Sequence, residues 1–177
     1  ISVAQPVQTG LNDADIIYET EVEGGITRLL AVYQDIKSVE RIGTIRSARY
    51  DYIDLALGHN ALYVHHGQDN YHAKPHLNDI PRLIVSENNA GMRASNGLST
   101  EHTLYGYGNK IWAKFKSMGK KMTVTDGKTW QTFADEETPV QLTRLSNSVS
   151  VQFSYGYKTT FKYDAATGRY TRYFNGN

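Results

Sequence analysis

The chain has no cysteine, only four prolines and no run of eighteen apolar residues. The first absence excludes disulfides, thiolate zinc sites and cysteine nucleophiles together. The lack of a long apolar run excludes a spanning helix within this sequence, and no charged and apolar leader opens it. An excess of one charge is missing too. Lys and Arg number 19 against 18 Asp and Glu, a formal net charge of +1. That balance gives no general reason to expect nucleic acid or an acidic membrane as partner. Also absent are a Gly-x-Ser-x-Gly elbow, a phosphate-cradling Gly-x4-Gly-Lys-Ser/Thr loop, a dinucleotide glycine fingerprint and an RNA-binding aromatic motif. No cofactor is expected.

What is present fits one large domain, or one domain with a C-terminal appendage: 177 residues, 40% of them hydrophobic. Of the thirteen tyrosines, five fall in the C-terminal third, in alternating text. They are read first as half-buried sheet faces, where the ring packs and the hydroxyl reaches water, and second as a sugar- or peptide-binding surface. Five lysines fall within residues 110–121, with Lys110 and Lys114 one turn apart and away from the Ile111/Phe115 stripe. That pattern reads as a solvated helix face before it reads as a nucleic-acid patch. The opening Ile1-Ser-Val-Ala-Gln-Pro6, without an initiator Met, predicts a processed or truncated start.

Along the chain, Tyr18, Thr20 and Val22 alternate with Glu19, Glu21 and Glu23. Gly24-Gly25 is a hairpin turn signal, and residues 26–33 supply a second strand. A helix is predicted from about Ser47 to Leu57, ended at Gly58, and a strand over 61–66 closed by Gly67. A short helix or loop over 69–79 and a strand over 82–86 follow. Residues 87–103 read as a long polar loop, and residues 104–118 as a helix stopped at Gly119. Beyond it, strands are predicted at 129–133, 148–154, 158–163 and 169–174, with a hairpin loop at Asp164–Gly168. The predicted class is α+β, with a layered mixed or antiparallel sheet, few helices and a C-terminal antiparallel meander. The main part is placed at residues 1–120 and a smaller β region at 121–177, with a single compact unit as the alternative.

Three constellations carry chemistry. Arg46 and Arg49, placed at a helix start, add positive charge where the dipole is already positive, which makes an anion site. The anion can equally be internal, Glu19, Glu21 and Glu23, in a network that only fixes the fold. His65 and His66 end a strand before a glycine, and alternation lets only one of them face any given pocket. His72 and His76 have metal-ligand spacing, but Pro75 lies inside it, so no metal is expected. Glu101-His102 closes the polar loop, a way to hold a histidine tautomer, while Thr103 can be merely a helix cap.

Glu23-Gly24-Gly25-Ile26-Thr27-Arg28, Ile42-Gly43 with Arg46-Ser47-Ala48-Arg49, and the His65/His66-Gly67 strand end together resemble the YerB-like family of bacterial lipoproteins. Glu101-His102-Thr103 resembles a polar loop motif that in the family is more often Pro-His-Asn. The Tyr163–Arg172 hairpin resembles the family's smaller C-terminal region. The resemblance implies a two-part α+β fold and an extracytoplasmic protein, tethered through a lipidated cysteine outside this sequence. It supplies no reaction.

The expected function is a cell-envelope binding or accessory domain for an anionic or mixed-charge ligand, a cell-wall fragment or an envelope protein. The expected ligand-binding residues are Glu19, Glu21, Glu23, Arg28, Arg46, Arg49, His65, His66, Glu101 and His102. Contact with nucleic acid is not expected, and contact with the membrane is expected only through the lipid anchor. The alternative is a hydrolase of envelope polymers, with Glu23, His65 and His102 as candidates for acid–base work and the arginines stabilising negative charge.

Overall fold

Gly24 and Gly25 take φ of 72° and 69°, the left-handed region that only glycine enters without strain. They join β1 (Ile16–Glu21) to β2 (Thr27–Val32) as the expected hairpin. The computed structural model that gives this geometry describes residues 3–124, 144 and 146–176. These fold as two units. One takes the described residues up to Glu19 and Arg28–Thr123; the other takes the hairpin tip, Thr20–Thr27, and the described residues from Val124 on.

In the first unit, β3 (Ile42–Gly43) and β6 (Gly91–Arg93) flank β7 (Leu104–Gly106) in an antiparallel sheet. β4 (Tyr63–His65) and β5 (Arg82–Ile84) pair in parallel. The extended segment 46–48 runs beside residues 66–68, which continue from β4. His66 N–H donates to the Arg46 carbonyl at 3.0 Å, and Ala48 N–H to the Gly67 carbonyl at 3.0 Å. Three helices complete the unit. α1 (Tyr50–Gly58) buries Tyr52, Ile53 and Ala56 on one stripe. The short α2 (Ala73–His76) is capped by the Asp69 carboxylate, which accepts from the backbone N–H of His72 and Ala73. α3 (Gly108–Ser117) buries Ile111 and Phe115 against Leu83, Val85, Ala90 and Leu104, which form the core.

In the second unit β8 (Ser148–Ser154), β9 (Tyr157–Asp164) and β10 (Arg169–Phe174) form the expected antiparallel meander. Tyr163 and Tyr170 face each other across it with ring centroids 5.2 Å apart. Gly168, at φ 68°, closes the turn. The Gly25 carbonyl of the hairpin tip accepts from Ser154 Oγ at 2.5 Å. The class is α+β.

Several boundaries differ from the sequence reading. α1 starts at Tyr50, because residues 46–48 bond to His66 and Gly67, just past β4, and stay extended. Arg46 therefore lies outside the helix rather than at its start, and Arg49 is the residue that precedes its first turn. Asn60 at φ 50°, not Gly58, is the left-handed residue after α1. Residues 104–106 are strand, and the stretch 87–103 contains β6 and a 3-10 turn at Thr100–His102. Glu23 sits in the hairpin's turn, so three acids do not share one strand face. His72 precedes α2, so the His72/His76 spacing does not fall on one helical face. The strand expected at 129–133 lies outside the described residues.

Candidate functional site

The extended segment 46–49 carries its arginines in two directions. Arg46 Nη1 donates to the Glu101 carbonyl at 2.9 Å and to His102 Nδ1 at 2.7 Å, while Nη2 pairs with Glu101 Oε2 at 3.0 Å. From the other side, Arg93 on β6 reaches the same 3-10 turn. Its Nη1 donates to the Thr100 carbonyl at 2.6 Å and to Thr103 Oγ1 at 3.0 Å. Its Nη2 lies 3.2 Å from His66 Nε2, and its Nε 3.4 Å from Glu87 Oε2. Two guanidinium groups thus clasp residues 100–103. Each bond to a charged donor is stronger than its neutral counterpart.

The clasp has an inside and an outside. The side chains of Arg46 and Arg93 are only 24% and 28% exposed, whereas their carboxylate partners Glu101 and Glu87 are 62% and 58% exposed. The cations are held by the fold and the counter-charges lie in solvent. Such exposed ion pairs contribute little net stability, because water screens them.

Arginine only donates, so its contacts fix the histidine tautomers. His102 accepts on Nδ1 and carries its proton on Nε2, 3.5 Å from Glu101 Oε1. Burial, then the facing Arg46 charge, pushes its pKa down, against the opposing pull of Glu101. His66 donates from Nδ1 to the Val85 carbonyl at 2.7 Å and turns its lone pair to Arg93. His65 points to the opposite face, as strand alternation requires. It is 1% exposed, and its Nδ1 donates to the Gly67 carbonyl at 2.7 Å. Among the described residues His65 Nε2 has no partner, and burial lowers the ring's pKa.

The sign for stability follows. A histidine whose folded pKa is lowered binds its proton more readily when unfolded, so protonation favours unfolding. Stability is expected to be full above about pH 6.5 and to fall below it, with a slope of up to about 1.4 kcal/mol per pH unit for each such ring. Urea titrations between pH 7.5 and 5 check this. His65→Leu should flatten the slope; an unchanged slope would show that His65 is not one of the rings responsible.

The other predicted residues separate. Arg28 Nη1 and Arg49 Nη1 both donate to the Ser47 carbonyl, at 3.0 and 3.4 Å, and Arg49 also to the Ala48 carbonyl at 2.9 Å. Nearby, burial pushes the Tyr63 hydroxyl's pKa well up, opposed by the backbone N–H of Arg49 and by both arginine charges. Glu19 is half-buried at the hairpin base, and Glu21 and Glu23 belong to the tip in the second unit. The structure therefore brings together Arg46, Glu101, His102 and His66, and joins them through Arg93 and Glu87. Sequence reasoning missed those last two. The one available signal was that Arg93 is the only basic residue between Glu87 and Thr100.

Among the described residues no group of three His, Asp or Glu is placed to hold a metal ion, and no helix is long and apolar enough to cross a membrane. The arrangement can offer guanidinium hydrogen bonds and charge to an anion. It holds the rings of His66 and His102 in fixed orientations.

Residues 2–123 match the family described as "Protein of unknown function (DUF3048) N-terminal domain". Over 60 residues, 34% of this chain and 18% of the relative, the sequence is 45% identical to "Putative lipoprotein YerB" of Bacillus subtilis (strain 168). The crystal structure of YerB protein from Bacillus subtilis superposes with a TM-score of 0.81 at 27% identity, over 99% of this chain and 58% of that one. The chain thus spans less than two thirds of either.

Proposed function

The chain belongs to the DUF3048 family, and from that membership and the arginine geometry we propose that it is an extracytoplasmic lipoprotein domain that binds an anionic or mixed-charge envelope ligand. The lipoprotein reading is supported by the name of its Bacillus subtilis relative. The binding reading rests on one observation. Two arginines fixed by the fold converge on one turn, and their carboxylate partners are mostly in solvent. A ligand carboxylate or phosphate can take the place of Glu101 or Glu87 without moving either arginine. A cell-wall peptide with a free carboxylate has the charge the clasp would take.

The hydrolytic alternative needs a free basic nitrogen within reach of a substrate; His102 directs its own at Arg46 and His66 at Arg93, and the His65 ring is only 1% exposed. No observation favours it over binding.

Calorimetric titration with a muropeptide bearing a free terminal carboxylate tests the proposal. Arg46→Ala is expected to weaken binding about 10-fold or more, the loss of one charge-assisted pair. Glu101→Gln is expected to strengthen it, because the internal competitor is gone. If Glu101→Gln lowers the melting temperature and changes no affinity, the cluster is a structural network instead.

A further inference from the structure

The balanced net charge hides a local excess on α3. From His102 to Val124 the sequence has no acidic residue, yet it has lysines at 110, 114, 116, 120 and 121. Lys110, Lys114 and Lys116 are exposed, and so is Lys37. The ammonium groups of Lys37 and Lys116 lie 5.1 and 5.0 Å from the centre of the Trp112 ring, and that of Lys110 lies 5.0 Å from the centre of Tyr107. Among the described residues none of these four lysines has a carboxylate partner. The acids closest in sequence to Lys37 are Asp35 and Glu40, and Asp35 Oδ1 accepts the Lys37 backbone N–H at 3.0 Å. Trp112 is half-buried, and Met118 stands exposed at the end of the helix.

Lysines on long apolar stems, a tryptophan at the surface and a neighbouring exposed methionine match a bilayer interface. The stems and the indole sit at headgroup depth while the ammonium groups reach phosphate. A nucleic acid would instead stack its bases on open aromatic faces. Here ammonium groups already lie over the Trp112 and Tyr107 rings. α3 also has no arginine for bidentate phosphate contact.

We propose that the face formed by Lys37, Lys110, Trp112, Lys114 and Lys116 docks directly onto anionic phospholipid headgroups. This contact is independent of the Arg46–Arg93 clasp and of any covalent anchor. The test is co-sedimentation of the unlipidated chain with vesicles of phosphatidylcholine, with and without phosphatidylglycerol. Binding is expected only with phosphatidylglycerol, and is expected to be lost at about 0.5 M salt, where the Debye length is only a few ångströms. At about fivefold per lysine near an anionic surface, the triple variant Lys110→Gln, Lys114→Gln, Lys116→Gln should lose about 100-fold in partitioning. Its circular dichroism should be unchanged, because all three side chains are exposed. Absent or equal binding to the two vesicle types, or an unaffected triple variant, would overturn the proposal. So would tight binding to soluble polyphosphate with none to vesicles, which would make the partner a dissolved anionic polymer.

Discussion

Gly108→Ala is expected to cost about 3 kcal/mol or more and to lower the melting temperature by at least ~10 °C. Gly108 is the first residue of α3, and an added Cβ would lie 2.0 Å from the Ile36 carbonyl oxygen and 2.4 Å from that of Val39. Both are backbone atoms, so no rotamer change relieves the clash. The Gly108 N–H also donates to the Val39 carbonyl at 3.1 Å, which ties the helix start to the same loop. Moving α3 away would draw Ile111 and Phe115 out of the core. Thermal unfolding checks this. A variant within about 2 °C of the wild type would mean that the loop at 36–39 yields freely, against the close packing expected of interiors.

The second large effect concerns Arg93. Arg93→Ala is expected to destabilise by about 2–3 kcal/mol, seen as a lower urea midpoint at unchanged m-value. Its ion pair with exposed Glu87 should contribute little of that. The weight falls on the bonds to the Thr100 carbonyl, Thr103 Oγ1 and His66 Nε2. Without them His66 keeps a half-buried lone pair facing no donor, and the 3-10 turn loses one of its two clasps. Arg93→Lys should recover only part, since one ammonium cannot reproduce the guanidinium's reach from the turn at 100–103 to His66. Full recovery by lysine would show that charge alone matters there.

The way Arg93 works also explains how much could be read from the sequence. The hairpin, the meander and the helical stripe at Ile111/Phe115 were legible, because glycine turns and apolar periodicity are local signals. So was the opposite orientation of His65 and His66, which follows from strand alternation alone. The helix start differs from the expected Ser47 because nothing local reports that residues 46–48 bond to His66 and Gly67. Arg93 was invisible for a similar reason. Its strand is three residues long, inside a Gly/Asn-rich stretch, and its partners come from residues 66, 87, 100 and 103. The three-acid face failed because Glu23 was needed for the turn. Arg46, Glu101 and His102 could be named as candidates, but not joined, since 55 residues separate Arg46 from Glu101.

If Arg46 and Arg93 form a preset cationic clasp, their exposed carboxylate partners should give way to an anionic ligand. Arginine side-chain NMR reads it directly, by following the guanidinium Nε–Hε signals while a muropeptide with a free carboxylate is added. Saturable shifts of Arg46 and Arg93 are expected, with the signals of Arg28 and Arg49 unmoved and the fold intact. Signals of Arg46 and Arg93 that stay fixed through the titration would contradict the clasp and leave the cluster as internal scaffolding.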